Sequence, residues 1–208
     1  MTYDKAATQS LKDGAPVAPI IFLNGASSAG KTTLGKVLQD MLDEPYFLLG
    51  LDTCFRMVPA RWAGGPPGEF RHLGFEYLDL PAENGHAVLG IGYGSVGGRI
   101  MAGFHRGVAE IVRAGNPVIV DEMLLDERVR DDWLAVLAPF HPLLVGVFCD
   151  LDELERREMQ RTNRPGLARW SAGRVHIGLE YGLTVDTTAK TSLNCATEIR
   201  DYIRLKAR

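Results

Sequence analysis

The chain has 208 residues, 46% of them hydrophobic, and a formal net charge of -3, which suffices for one substantial core and is short for two domains. The slight acidic balance, with an isoelectric point near 6.0, provides no basic face for nucleic acid. Cys54, Cys149 and Cys195 form no CxxC pair, so a reducing, cytoplasmic setting is expected. No apolar run reaches the roughly 18 residues of a membrane span, and the first residues lack the apolar segment of a signal peptide.

Residues 1–18 read as a flexible N-terminal extension. Apolar runs at Ile20–Asn24, Tyr46–Asp52, Pro117–Asp121, Leu143–Asp150 and Leu183–Asp186 are continuous rather than alternating, as strands of a parallel sheet covered on both faces should be. Between them, Leu34, Val37, Leu38, Met41 and Leu42 form one helical stripe after Lys31. A second helix is expected over Arg99–Arg113, with Ile100, Phe104, Val108, Ile111 and Val112 on its buried face. A third is expected over Glu127–Leu137, and a last over Ser192–Leu205, with Leu193, Ala196, Ile199 and Ile203 inward. Strands alternating with helices specify an α/β, three-layer, doubly wound, parallel five-stranded sheet. The stretch Gly64–Gly98, rich in Gly and Pro, is too long for an ordinary connection and reads as a functional insertion.

Gly25-Ala26-Ser27-Ser28-Ala29-Gly30-Lys31-Thr32, followed by Thr33, fits GxxxxGK[ST] between a strand and an amphipathic helix. Glycines let successive N–H groups turn toward phosphate oxygens at the helix N-terminus. Lys31 would reach the β- and γ-phosphates of ATP, and Thr32 would ligate Mg2+. This places the chain among P-loop NTPases. Gly92-Tyr93-Gly94-Ser95-Val96-Gly97 also matches GxGxxG, but no good strand is expected before it, and it reads as a loop entering a helix.

A kinase needs a group beside the acceptor hydroxyl at the carboxyl edge of the sheet. Asp52, ending the run YFLLGLD, suits that role, with N-capping of the following turn as the alternative. Asp121 closes VIVD and suits Mg2+, or else a cap; Glu122 beside it reads as a spectator. Residues 152–174 carry Arg156, Arg157, Arg161, Arg164, Arg169 and Arg174, a charge pattern suited to a lid that stabilises the transferring phosphoryl group. His72, His86, His105, His141 and His176 show no metal-ligand spacing. Trp62, Phe70, Phe75, Tyr77 and Tyr93 suit either an apolar acceptor pocket or the core.

The segments IIFLNGASSAGKTTL, FLLGLDTCFRMVPARW, VIVDEMLL and LEYGLTVDTTAKTS together resemble the chloramphenicol phosphotransferase family over residues 19–205. The resemblance implies a nucleoside-monophosphate-kinase-like fold over 19–208 and transfer of the ATP γ-phosphate to a hydroxyl of a small molecule. It also implies Asp52 as the catalytic carboxylate, Arg157, Arg161 and Arg164 in a lid, and Asp186, Thr187 and Thr188 near the nucleotide base. Residues 64–98 match only loosely, so the acceptor is chloramphenicol or another compound such as a sugar acid or nucleoside. A nucleotide-hydrolysing switch is disfavoured, because Asp121 leads into Glu-Met-Leu rather than DxxG and no NKxD follows. A homo-oligomer is compatible with all of this.

Overall fold

The computed structural model describes residues 18–64, 68–161 and 165–206, so residues 1–17 of the expected extension lie outside the described residues. In chain order the elements begin with β1 (Ile20–Gly25), α1 (Lys31–Met41), β2 (Phe47–Gly50) and α2 (Leu51–Met57). A small second sheet follows, β3 (Ala63–Gly64), β4 (Phe75–Glu83) and β5 (His86–Tyr93), then α3 (Ser95–Arg113). Next come β6 (Val118–Glu122), α4 (Glu127–Leu137), β7 (Leu143–Phe148), α5 (Leu151–Met159) and α6 (Leu167–Ala172). The described chain closes with β8 (Leu183–Asp186) and α7 (Ser192–Lys206).

The main sheet has strand order β2-β6-β1-β7-β8, and every pairing in it is parallel. β1 lies at its centre and is buried along its whole length, which is why its run is uniformly apolar up to Asn24. On one flank Leu34 and Leu38 of α1 are fully buried, contributing about 2 kcal/mol each by area. Asp126 starts α4 by accepting hydrogen bonds from the N–H groups of Arg128 (2.9 Å) and Val129 (3.3 Å), a side-chain cap of the usual kind.

Four expectations shift. The strand expected over Tyr46–Asp52 ends at Gly50, and Asp52 sits in the first turn of α2. The helix expected from Arg99 begins at Ser95 and buries Met101, His105, Val108 and Val112, leaving Ile100, Phe104 and Ile111 only partly buried. The stripe is rotated because α3 packs on α4, where polar His105 has a partner. In α7, Leu193 is exposed, and Cys195, Ala196, Ile199 and Ile203 face inward.

The fourth shift concerns residues 64–98, whose described part is ordered around an antiparallel hairpin. Glu83 pairs with His86, and the two turn residues Asn84 and Gly85 have φ of 50° and 81°. Asn-Gly with two positive φ values is the two-residue turn whose twist matches the strands it joins. A strand therefore does lead into Gly92–Gly97. The pattern still offers no phosphate cradle, because the N–H groups of Gly94, Val96 and Gly97 are spent on the carbonyls of Gly74 and Leu73.

His105 is 1% exposed, its Nδ1 lies 2.5 Å from an Asp132 carboxylate oxygen, and its ring stacks on Trp133 at 3.9 Å. Its Nε2 is buried with no partner among the described residues, so a second ring proton would have no acceptor. Burial accordingly lowers its pKa from 6.5 to about 4, against the pull of Asp132. The unfolded chain takes up this proton near 6.5 and the folded chain only near 4. Stability from this group is therefore complete above pH 6.5 and is lost as pH falls toward 4, by up to about 3 kcal/mol. In urea unfolding followed from pH 7.5 to 4.5, the wild type should lose stability relative to His105→Gln by up to this amount; the same pH profile in both proteins would mean that His105 titrates normally.

Candidate active site

The loop after β1 is held from below by Asn24. Its side-chain amide donates to the Val175 carbonyl (2.6 Å) and to the Tyr181 hydroxyl (2.7 Å), and its oxygen accepts the Leu124 N–H (3.0 Å). Ser28 and Gly30, with φ of 66° and 85°, turn the chain from strand into α1. N–H groups of a helix's first turn have no acceptor within it, and among the described residues those of Lys31, Thr32 and Thr33 make no backbone bond to another element. The Ser28 hydroxyl is buried without a partner among the described residues. Unspent amides and an orphan hydroxyl at the start of an 11-residue helix fit a phosphate group.

Lys31 is buried, and its ammonium donates to the Ala26 carbonyl at 2.9 Å. Desolvation lowers its pKa, against the opposing pull of Asp121, Asp52 and Glu122. The Thr32 hydroxyl donates to Asp121 at 2.5 Å. One hydroxyl and one carboxylate oxygen side by side are hard donors of the kind Mg2+ takes while keeping waters and phosphate oxygens.

Asp52 arrives at the same place through backbone contact. Gly50 pairs with Asp121 so closely that a Cβ there would fall 1.9 Å from the Asp121 carbonyl oxygen. That approach starts α2 against the end of β6. Ser28, Lys31, Thr32, Asp52, Asp121 and Arg161 consequently line one cleft, closed on its far side by Ile91 and Leu167. A second cavity of about 520 Å³ opens on the other side of Asp52, walled by Phe55, Ala63 and Tyr77. Of the other aromatic candidates, Phe75 is buried against Phe55 at 4.6 Å, and Trp62 and Phe70 pack on each other at 4.7 Å.

The arginines of residues 152–174 divide. Arg161 reaches the cleft. Arg157 donates to Glu153 (2.7 Å) and to the Thr187 carbonyl (2.6 Å), tying α5 to the loop after β8, and its Nη1 lies 3.8 Å from where a Cβ at Gly30 would sit, beside the phosphate loop. Arg156 pairs with Glu153, Arg169 with Glu155, and Arg174 bonds the Trp170 carbonyl. Arg164 lies outside the described residues. Asp186 ends β8 and accepts the Thr188 N–H, Thr187 donates to the Ala29 carbonyl at 2.9 Å, and Thr188 accepts the Asp150 N–H. The loop after β8 therefore buttresses the phosphate loop from behind.

Three side chains escape the sequence reading. Glu122, read there as a spectator, is 1% exposed yet borders the cleft. Burial, joined by the Asp121 charge, pushes its pKa up to about 8, against the Met123 N–H, Trp133 and Lys31. Its inward aim follows from period two along Val118, Val120 and Glu122, a signal present in the sequence. Ser171 accepts the Ser27 N–H at 3.0 Å, and Glu158 accepts the N–H groups of Gly166 and Ala168, both at 2.7 Å. Neither had a local signal, since both bonds depend on how α6 returns.

A family model described as chloramphenicol phosphotransferase-like protein matches residues 18–204. The chain belongs to this family. A Mycobacterium tuberculosis (strain H37Rv) protein named "Putative O-phosphotransferase Rv2636" is 29% identical over 194 residues, 90% of this chain and 83% of that protein. Shikimate kinase from Acinetobacter baumannii shares the fold at a TM-score of 0.56 and 15% identity, covering 94% of this chain and 97% of that one. The Deinococcus radiodurans tunicamycin resistance protein does so at 0.58 and 16%, covering 89% and 95%. The Mycobacterium tuberculosis APS kinase CysC gives 0.55 and 13%, covering 91% and 99%. The family is one of phosphotransferases, and the parallel sheet with flanking helices is that of P-loop kinases.

Glu158 closes the cleft's roof, because Gly166 in turn accepts the Leu89 N–H of the hairpin at 3.3 Å. Each of its bonds is to a carboxylate, worth about 1.5 to 3 kcal/mol. Glu158→Ala, which removes both bonds, should therefore destabilise the fold by about 3 to 6 kcal/mol in urea unfolding; a loss under about 0.5 kcal/mol would mean that these amides find other acceptors.

Proposed function

We propose that this protein transfers the γ-phosphoryl group of ATP to a hydroxyl of a small molecule, as a chloramphenicol-3-O-phosphotransferase-like enzyme. The observation that carries the reading is that Lys31, the Thr32–Asp121 pair and Asp52 line a single cleft. A phosphate-binding ammonium, a hard-oxygen metal pair and an acceptor-side carboxylate are the parts phosphoryl transfer needs within reach of each other.

The amides of Gly30 to Thr33 and the Ser28 hydroxyl would cradle the phosphates, with Lys31 swinging from the Ala26 carbonyl to the β- and γ-oxygens. Thr32 and Asp121 would hold Mg2+, which neutralises charge on those oxygens when bound. Asp52 takes the proton of the acceptor hydroxyl while the new O–P bond forms and the bond to the ADP oxygen breaks. Arg161, from the arginine-rich segment over residues 152–174, faces the transferring group and offsets its equatorial charge. Arg157, held by Thr187 beside Gly30 of the phosphate loop, adds positive charge next to the phosphates.

The cavity walled by Phe55, Ala63 and Tyr77 suits an acceptor with an apolar body. A metabolic kinase acting on a sugar acid, nucleoside or similar compound would use the same groups with another occupant there. Among the described residues no helix is long and apolar enough to cross a membrane, and no three His, Cys, Asp or Glu side chains are grouped to hold a metal ion.

An acceptor screen read by mass spectrometry should find a hydroxyl compound gaining one phosphate. Asp52→Asn should leave ATP binding nearly intact and lower turnover about a hundredfold; unchanged turnover removes Asp52 from the reaction. Lys31→Ala should weaken magnesium–nucleotide binding in calorimetry, and Asp121→Asn should raise the Mg2+ needed for half-maximal binding about tenfold or more. Wild-type binding in both variants would mean that the loop is misassigned.

A further inference from the structure

α2 carries two charged side chains four residues apart, Asp52 and Arg56. At this spacing they lie on one face of the helix about 6 Å apart, and an acid placed N-terminal to a base ordinarily pairs with it. Here they do not pair. The Asp52 charge acts on Lys31 in the phosphate cleft, whereas Arg56 is exposed and its guanidinium makes no hydrogen bond or ion pair among the described residues.

Both side chains nevertheless border the cavity of about 520 Å³ walled by Phe55, Ala63 and Tyr77. Among the described residues that line it, Arg56 is the one cation and Asp52 the one acid. Arg61, the next arginine along the chain, sits over the Phe70 ring at 5.8 Å instead. Gly65, Pro66 and Pro67, which follow the wall residue Gly64, bring no charge. Asp52 therefore stands between the phosphate cleft and a cavity of largely apolar wall with a single guanidinium at its rim.

We propose that Arg56 is an acceptor-binding residue and that the acceptors are hydroxy acids. Their carboxylate pairs with Arg56, their carbon body lies against Phe55 and Tyr77, and their hydroxyl meets Asp52. One planar guanidinium matches one carboxylate through two parallel hydrogen bonds. A dianionic phosphate ester would meet twice the repulsion from Asp52 with the same single cation to offset it. The inference rests on the kinase reading above and narrows its acceptor from hydroxyl compounds in general to those that also carry a carboxylate. The last turn of α2 favours a cation through the helix dipole as well, but that effect is independent of what fills the cavity.

The test uses Arg56→Gln and Arg56→Lys, with gluconate and other sugar acids as probes, each beside its neutral amide, and chloramphenicol as an acceptor without a carboxylate. For any acid that the wild type phosphorylates, Arg56→Gln should raise acceptor KM at least tenfold, leave kcat within about threefold, and keep ATP affinity and melting temperature. Arg56→Lys should recover part of the loss, since an ammonium keeps the charge without the fork. The amide should lose the same factor with the wild type and nothing more with Arg56→Gln. Added salt should raise the wild-type KM for the acid and leave that of Arg56→Gln unchanged. Chloramphenicol or the amides phosphorylated as well as the acids, or an acid KM that Arg56→Gln does not change, overturns the assignment of Arg56 and leaves the kinase reading standing. ATP hydrolysis indifferent to every compound, with no phosphate transferred by the wild type, overturns the kinase reading and this assignment with it.

Discussion

A Cβ at position 50 would lie 1.9 Å from the Asp121 carbonyl oxygen, a separation no side chain tolerates, so β2 and β6 approach this closely only with glycine there. The contact is made in extended backbone, with Gly50 at φ 171°, so it concerns space rather than strain. Its consequence is positional: α2 starts where β6 ends, and Asp52, Asp121 and Glu122 come to one edge of the sheet. Because β6 also pairs with β1 through Leu23 and Asn24, the same register sets these carboxylates beside the phosphate loop.

Asp52 and Asp121, with Glu122 held toward its neutral form by burial, surround one buried lysine in an arrangement that suits a cationic partner. Burial drives the Lys31 pKa down while Asp121, Asp52 and Glu122 pull it up, and the ammonium rests on the Ala26 carbonyl. In the proposed reaction a magnesium–nucleotide complex supplies both the phosphate oxygens that Lys31 exchanges for that carbonyl and the cation that Thr32 and Asp121 are placed to hold. Arg161 adds positive charge from the opposite wall. In the proposed reaction the cleft has a phosphate side and a carboxylate side, and the acceptor would enter from the latter.

The roof of the cleft is built from contacts remote in sequence. Glu158 bonds two amides at the start of α6, Gly166 bonds Leu89 of the hairpin, and Ser171 bonds the Ser27 amide of the phosphate loop. Through these bonds the arginine-bearing helices, the hairpin and the phosphate loop share polar partners. Arg156, Arg157 and Arg169 are engaged in ion pairs with Glu153 and Glu155, whereas Arg161 lines the cleft, a division that charge density alone does not reveal.

The sequence determined the five parallel strands, the boundaries of α4 and α7, the start of α1 and the phosphate loop, because strand and helix periodicities and positive-φ glycines act over a few neighbouring residues. It also carried an Asn-Gly turn whose hairpin went unread, since glycines at positions 90 and 92 blur the alternation of β5. What only the tertiary structure decided is which polar side chains meet: Asp52 on a helix rather than a strand end, Arg157 against Thr187, His105 inward on Asp132, and Glu122 at the cleft wall. Each of these depends on the packing of residues 27 to 71 positions apart, where rotating a helix by one residue or ending a strand two residues early redirects a side chain without changing the local pattern.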